Sequence, residues 1–280
     1  MKIGVFAKTF PTVGALATLQ AVKNAGFETA QFNMACLGLP AMPDAIAPTD
    51  AASITEASRA TGVSIAAVSG TYNMIHPDLA VRRKGLERLE VLCASAKAMG
   101  TTLVTLCTGT RDAQDQWRWH ADNASPAAWS DLLEEMVKAV IIAARHDVHL
   151  GVEPELANVV SSAAKARALL DQVKGGRVRI VLDPANLFER ASEAERTAII
   201  ERAVDLLGPD IGMAHAKDRD AHGGFVAPGT GVIDFRHFIA RLRKAGFDGA
   251  LVGHGFSAEE APAVARHLRA AASLLPQSPS

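Results

Sequence analysis

Four ionisable residues stand at the ends of short apolar runs: Glu153 after VHLGV, Asp183 after VRIVL, His215 within IGMAHAK and His254 within GALVGHG. They are separated by 30, 32 and 39 residues. Neighbouring parallel strands bring their carboxyl ends to one rim, so groups placed in this way converge on one point. Two carboxylates with imidazole nitrogens form a mixed oxygen and nitrogen donor set. Such a set suits one divalent metal ion: Mn²⁺, Mg²⁺, Co²⁺ or Zn²⁺. Each residue alone has a plainer explanation. An Asp after a strand caps a helix or forms a turn, and a lone His packs in a core or on a surface. Four in succession at matching positions favour the metal site.

Further polar residues lie near these strand ends. Side chains at i and i+2 share a face of a strand, so Glu155 points with Glu153 if extended backbone persists through Pro154. A solvated loop glutamate is the alternative. Lys217, two residues after His215, follows the same logic. It can neutralise a phosphate or an enediolate, act as an acid or base when desolvated, or simply pair with Asp183 or Asp218. A second cluster follows the third and fourth apolar runs: His76, Arg111, Trp117, Trp119 and His120. Aromatic faces with Arg and His stack on sugar rings and bind their oxygens. Equally, they anchor a loop or form a subunit interface, so a homo-oligomer is compatible with the sequence.

The elements that must position these groups alternate along the chain. Strand-like runs KIGVFA, ETAQFNM, VSIAAVSG, TLVTLCTG, VHLGVEP, VRIVLDP, IGMAHAK and GALVGHG are separated by amphipathic stretches at 13–25, 44–61, 78–99, 127–146, 158–174, 193–207, 234–245 and 258–274. In 127–146, Leu132, Met136, Ala139, Val140 and Ala143 share one helical face. Glycines at 26, 62, 100, 175–176 and 246 mark helix ends. Runs rich in Val, Ile and Leu belong to a parallel sheet covered on both faces. Eight such βα units predict an α/β fold, a (β/α)₈ TIM barrel, as a single domain over 1–280 with a frayed tail at about 276–280. No Gly-rich dinucleotide loop follows the first run, which continues FAKTFPTVG. Pro228-Gly229-Thr230-Gly231 reads as a turn, since no Lys-Ser follows to make a phosphate loop.

Composition narrows the function classes. With 29 basic and 30 acidic residues, the net charge of −1 gives no footprint of a nucleic-acid binder. No stretch is apolar enough to span a membrane, and the start MKIGVFAKTF lacks the form of a signal peptide. Cys36, Cys93 and Cys107 are odd in number and sit in apolar surroundings, which predicts buried free thiols and a cytoplasmic protein.

The motifs GVEPELANVV, IVLDPANLF, MAHAKD and GTGVIDF, in this order, resemble those of the sugar phosphate isomerase/epimerase family, the xylose-isomerase-like TIM barrels. The segments NMIHPD, CTGTRD, WRWH and HADNASPAAW resemble one little-characterised branch of it. The resemblance implies a metal-dependent barrel with Glu, Asp, His and Glu ligands on strands five to eight. Glu153, Asp183 and His215 match the first three. Where relatives carry the second Glu, this chain reads Leu251-Val252-Gly253-His254-Gly255. His254 therefore serves as the fourth ligand, as an acid or base, or in neither role, and Glu155 becomes a replacement base. Asn186 stands where many relatives carry a substrate-contacting His, and can bind a sugar hydroxyl or serve only as a turn residue.

The resemblance implies an isomerase or epimerase of a small sugar, sugar phosphate or related hydroxy-carbonyl compound. Proton removal α to the carbonyl gives a cis-enediolate, and return of the proton completes the reaction. A dehydratase of polyol ketones on the same fold is the alternative enzyme. A non-catalytic ligand-binding barrel is the alternative without chemistry. The family's endonucleases need several zinc ions and a basic face, which the charge balance disfavours.

Overall fold

The run Val178–Leu182 forms the strand β6, where Ile180, Val181 and Leu182 are all buried. A strand apolar on both faces must be covered on both, and a parallel barrel does this with a packed interior and an outer ring of helices. The computed structural model describes residues 1–273; the tail expected to fray lies outside the described residues. The other barrel strands are β1 (Lys2–Phe6), β2 (Thr29–Phe32), β3 (Ser64–Ser69), β4 (Leu103–Leu106), β5 (His149–Val152), β7 (Ile211–Ala216) and β10 (Ala250–Gly253). All pair in parallel and close in the order β1-β10-β7-β6-β5-β4-β3-β2. Between β7 and β10, β8 (Asp218–Arg219) and β9 (Phe225–Val226) form a small antiparallel ribbon.

The helices are α1 (Ala15–Asn24), α2 (Pro48–Thr61), α3 (Leu79–Ala96), α4 (Pro126–His146), α5 (Ala163–Gln172), α6 (Glu193–Leu207), α7 (Phe235–Lys244) and α8 (Ala261–Ser273). Side-chain caps start several of them: Asp78 for α3, Ser125 for α4, Ser162 for α5 and Asp234 for α7. Ser192 and Glu195 make a reciprocal capping box at α6. Gly62 ends α2 with φ 76°, a left-handed conformation that costs glycine little. The three cysteines are buried and free, as their surroundings predict.

Two apolar layers result. Helix and outer strand faces form the main core, while Ala67, Leu103, Val181, Met213 and Val252 form a separate buried cluster inside the barrel. Each of these five comes from a different strand. Gly151 belongs with them, since a Cβ there would meet Val181 at 2.9 Å and Leu103 at 3.3 Å. This inner layer sets the direction of everything above it.

The loop after β7 is held by one buried carboxylate. Asp218 accepts the backbone N–H groups of Arg219 (2.8 Å), Gly229 (3.0 Å), Gly231 (3.1 Å) and Ile233 (3.1 Å). The Pro228–Gly231 stretch is thus a turn wrapped around Asp218. A Cβ on Gly231 would lie 2.4 Å from that carboxylate, so only glycine fits. Removing the acceptor leaves several buried donors without a partner. Asp218→Ala is expected to lose about 2–4 kcal/mol of stability, with Asp218→Asn in between. Calorimetric melting of the three proteins checks this, and equal midpoints would contradict it.

Candidate metal centre

Period-2 alternation carries the inner layer directly into a polar one. Two residues beyond Gly151, Val181, Met213 and Val252 come Glu153, Asp183, His215 and His254. Their ligand atoms all lie within 4.8 Å of one another. The geometry therefore gathers all four residues that the sequence offered as candidate ligands. His254 lies edge-on to His215, with ring centroids 4.8 Å apart, and edge-on to Phe6 at 6.0 Å.

The contacts of the cluster are incomplete in an informative way. Asp183 Oδ1 accepts from the Ala185 N–H at 2.9 Å, so the residue does cap the turn that follows it. Its Oδ2 is buried without a hydrogen-bond partner among the described residues, as is His254 Nε2. These two atoms are 3.8 Å apart. Glu153 Oε1 lies 3.0 Å from His215 Nδ1 and accepts from Asn186 Nδ2 at 2.8 Å. Buried polar atoms are nearly always paired, and a shared cation is one partner that would satisfy both atoms. Two carboxylates and two imidazoles fit a single divalent ion.

Charge is tuned across the cluster. Burial pushes the Asp183 carboxyl up; Lys217 opposes this and Glu153 adds to it, leaving a value of about 6. Burial also acts to raise Glu153, but His215, Lys217 and His254 pull it down to about 2. Burial, with His215 and Lys217, holds His254 well below the usual imidazole range, so its ring is neutral with a free lone pair. Burial raises Glu155, against the Ala157 N–H that lowers it.

The flanking residues divide into two groups. Lys217 reaches the cluster: its Nζ is 3.2 Å from Asn186 Oδ1, 3.8 Å from Asp183 Oδ2 and 4.2 Å from the centre of the Phe225 ring. Asn186, almost fully buried, bridges Glu153 and Lys217 with its amide. Glu155 turns to its own loop, accepting from Asn158 Nδ2 at 3.2 Å and Ala157 N–H at 3.4 Å.

The loops after β3 and β4 use their polar atoms internally. His76 Nε2 lies 3.0 Å from the Ala113 carbonyl, and its Nδ1 accepts from Asp78 N–H. Arg111 pairs with Asp131 at 2.7 Å and donates to the Ile75 carbonyl. Asp131 also pairs with the buried Arg82. His120 caps the turn at Ala121–Ala124, and Trp119 is 62% exposed. None of these four makes a hydrogen bond or ion pair to the cluster.

One residue that the sequence reading did not single out joins the site. Gln31 on β2 is buried, with Oε1 2.7 Å from His215 Nε2 and Nε2 3.1 Å from Thr105 Oγ1. Its signal was its place two residues after Thr29, inward on a strand of the barrel.

A closed (β/α)₈ barrel with a carboxylate and imidazole cluster at the carboxyl ends of its strands defines the class. A family model described as the xylose isomerase-like TIM barrel matches residues 19–274, and the chain belongs to that family. No curated protein matches the sequence. Among solved structures, the 3-keto-D-glucoside 4-epimerase YcjR from E. coli is similar with a TM-score of 0.75 at 18% identity, covering 96% of this chain and 99% of that one. The probable 3-DHS dehydratase AsbF from Bacillus anthracis gives 0.76 at 16%, covering 96% and 99%. The IolI protein, solved with a bound zinc atom, gives 0.75 at 17%, covering 99% and 100%. At these identities the likeness shows the fold. No helix among the described residues is long and apolar enough to cross a membrane.

The raised Asp183 carboxyl gives a signed expectation. A folded value near 6, above the ordinary 3.8, means that the metal-free fold binds the proton more tightly than the unfolded chain does. Ionised Asp183 therefore costs stability, and the cost grows as pH rises from about 4 to 6. Metal-free Asp183→Asn should be more stable than wild type at pH 7 by up to about 3 kcal/mol, with the gap closing near pH 4. The same variant should carry no stoichiometric metal. Melting curves and elemental analysis read both effects; undiminished metal content would refute the ligand assignment.

Proposed function

We propose that this protein is a metal-dependent isomerase or epimerase of a small sugar, sugar phosphate or related hydroxy-carbonyl compound. The observation that carries the reading is the convergence of Glu153, Asp183, His215 and His254, with Asp183 Oδ2 and His254 Nε2 left unpaired. The similarity to sugar epimerases supports the substrate class. When bound, a divalent ion would supply Lewis acidity that polarises the substrate carbonyl.

The chain's own groups then divide the work. Glu153, held ionised, takes the proton from the carbon α to the carbonyl, and the electron pair moves onto the carbonyl oxygen to give an enediolate. The Lys217 ammonium, beside Asp183 and Asn186, offsets the negative charge that develops. Asn186 holds Glu153 Oε1 and Lys217 Nζ in fixed relation through one amide. Return of the proton by Glu153 to the neighbouring carbon, with the hydroxyl proton passing from one substrate oxygen to the other, completes an isomerisation. Epimerisation needs a second group on the opposite face, and His254, on a different strand from Glu153, fills that role. Loss of a β-hydroxyl from the same enediolate would give the dehydratase alternative, with Lys217 as the proton donor to the leaving group.

The test is proton exchange. Metal-loaded protein in D₂O, offered a panel of ketopentoses, ketohexoses and 3-keto sugars, should exchange the α-proton of at least one. Glu153→Gln should slow that exchange by about 10²–10⁴-fold. His254→Gln separates two roles for the imidazole. A lost ligand lowers metal affinity and is partly rescued by excess metal; a lost acid or base keeps the affinity and abolishes exchange. A new enone absorbance with release of water would replace isomerase by dehydratase. Binding without exchange across the panel would overturn the enzymatic reading in favour of a ligand-binding barrel.

A further inference from the structure

Buried inside the barrel, Thr105, Gln31, His215 and Glu153 form a continuous chain of polar contacts: 3.1 Å, 2.7 Å and 3.0 Å from one to the next. Its central link is a primary amide, which offers an acceptor on one side and a donor on the other. A hydroxyl also serves in both senses. The chain can therefore run in two directions, the first being the one the amide takes in this structure, and they differ in what they leave facing Glu153.

In one direction His215 carries its proton on Nε2 and donates to Gln31 Oε1, while the Gln31 amide N–H donates to Thr105. His215 Nδ1 is then a bare lone pair opposite Glu153 Oε1, an arrangement that needs a cation between them. In the other direction the amide is turned over. Gln31 donates to His215 Nε2, Thr105 donates to Gln31, and His215 Nδ1–H donates to Glu153. No cation is then needed at that contact.

We infer that Gln31 is a positioning residue for His215, and that its amide supports the Nε2–H ring tautomer with metal bound and the Nδ1–H tautomer without it. The inference rests on the reading of Glu153 and His215 as metal ligands. A carboxylate or carbonyl at the same place accepts only, and would keep Nε2 protonated in both states. The neutral, reversible partner lets the ion leave without stranding a buried imidazole nitrogen. It also orients the ring without adding negative charge to a cluster that already holds two carboxylates.

The experiment is side-chain ¹⁵N NMR of histidine-labelled protein, metal-free and zinc-loaded, with competitive zinc titration. Wild-type His215 is expected as Nδ1–H without zinc and Nε2–H with it. Gln31→Glu should show Nε2–H in both states. Gln31→Met, which preserves bulk but neither donates nor accepts strongly, should bind zinc about 10–100-fold more weakly. An Nε2–H tautomer in the metal-free wild type, or wild-type zinc affinity in Gln31→Met, would overturn the inference while leaving the metal site standing. Should Gln31→Met fail to fold, the wild-type and Gln31→Glu tautomers still decide it. A wild type that takes up no zinc overturns the metal reading itself.

Discussion

Side chains two residues apart on a strand point the same way, and the site depends on that rule holding on several strands at once. Val181, Met213 and Val252 pack the barrel's interior, and Gly151 leaves room for Val181 and Leu103. One step further along each strand, the same inward direction delivers Asp183, His215, His254 and Glu153. The apolar layer thus acts as the floor of a polar one. A one-residue slip in any of these strands would turn a ligand outward and a core residue away from the interior. Packing energy therefore enforces the register on which the chemistry relies.

Crowding two carboxylates and two imidazoles in a buried layer has electrostatic consequences. Against its own burial, Glu153 is held low by its contact with His215 and by Lys217, Asp183 is raised by burial, and His254 is kept neutral. A neutral imidazole in place of a carboxylate leaves the site one unit more positive than a three-carboxylate set. In the proposed reaction that favours an anionic enediolate, and for the proposed ion it disfavours a hard cation such as Mg²⁺ relative to Zn²⁺, Co²⁺ or Mn²⁺. Lys217 adds to the same bias from the edge of the cluster.

The repeating architecture was legible because the strands are short, mainly apolar runs and most helices carry a glycine stop or a side-chain cap. The four residues of the cluster were legible because ionisable groups are conspicuous after Val152, Leu182, Ala214 and Gly253. Gln31 was not, since one amide within ETAQFNM looks like any polar residue in a strand, and only closure of the barrel sets it against His215. The loops after β3 and β4 were legible in residue type but not in partner. Arg111 meets Asp131 across a loop, and His76 meets a backbone carbonyl 37 residues away. Such contacts are fixed by the path of a loop, which carries no periodicity from which to read them. The dual character of Asp183 is similar: one oxygen caps a turn and the other faces the cluster. Capping the turn with one oxygen leaves the other to face the cluster, so the two readings of this residue do not exclude each other.

The central claim is that these four side chains hold one divalent ion together. X-ray absorption at the zinc edge of the zinc-loaded protein tests it most directly. The account predicts one ion per chain, a first shell of nitrogen and oxygen at about 2.0–2.2 Å with no sulfur, and outer-shell scattering from two imidazoles. Scattering from a single imidazole would remove one of the two histidines from the shell. An ion bound through sulfur, or no stoichiometric zinc at all, would contradict the account.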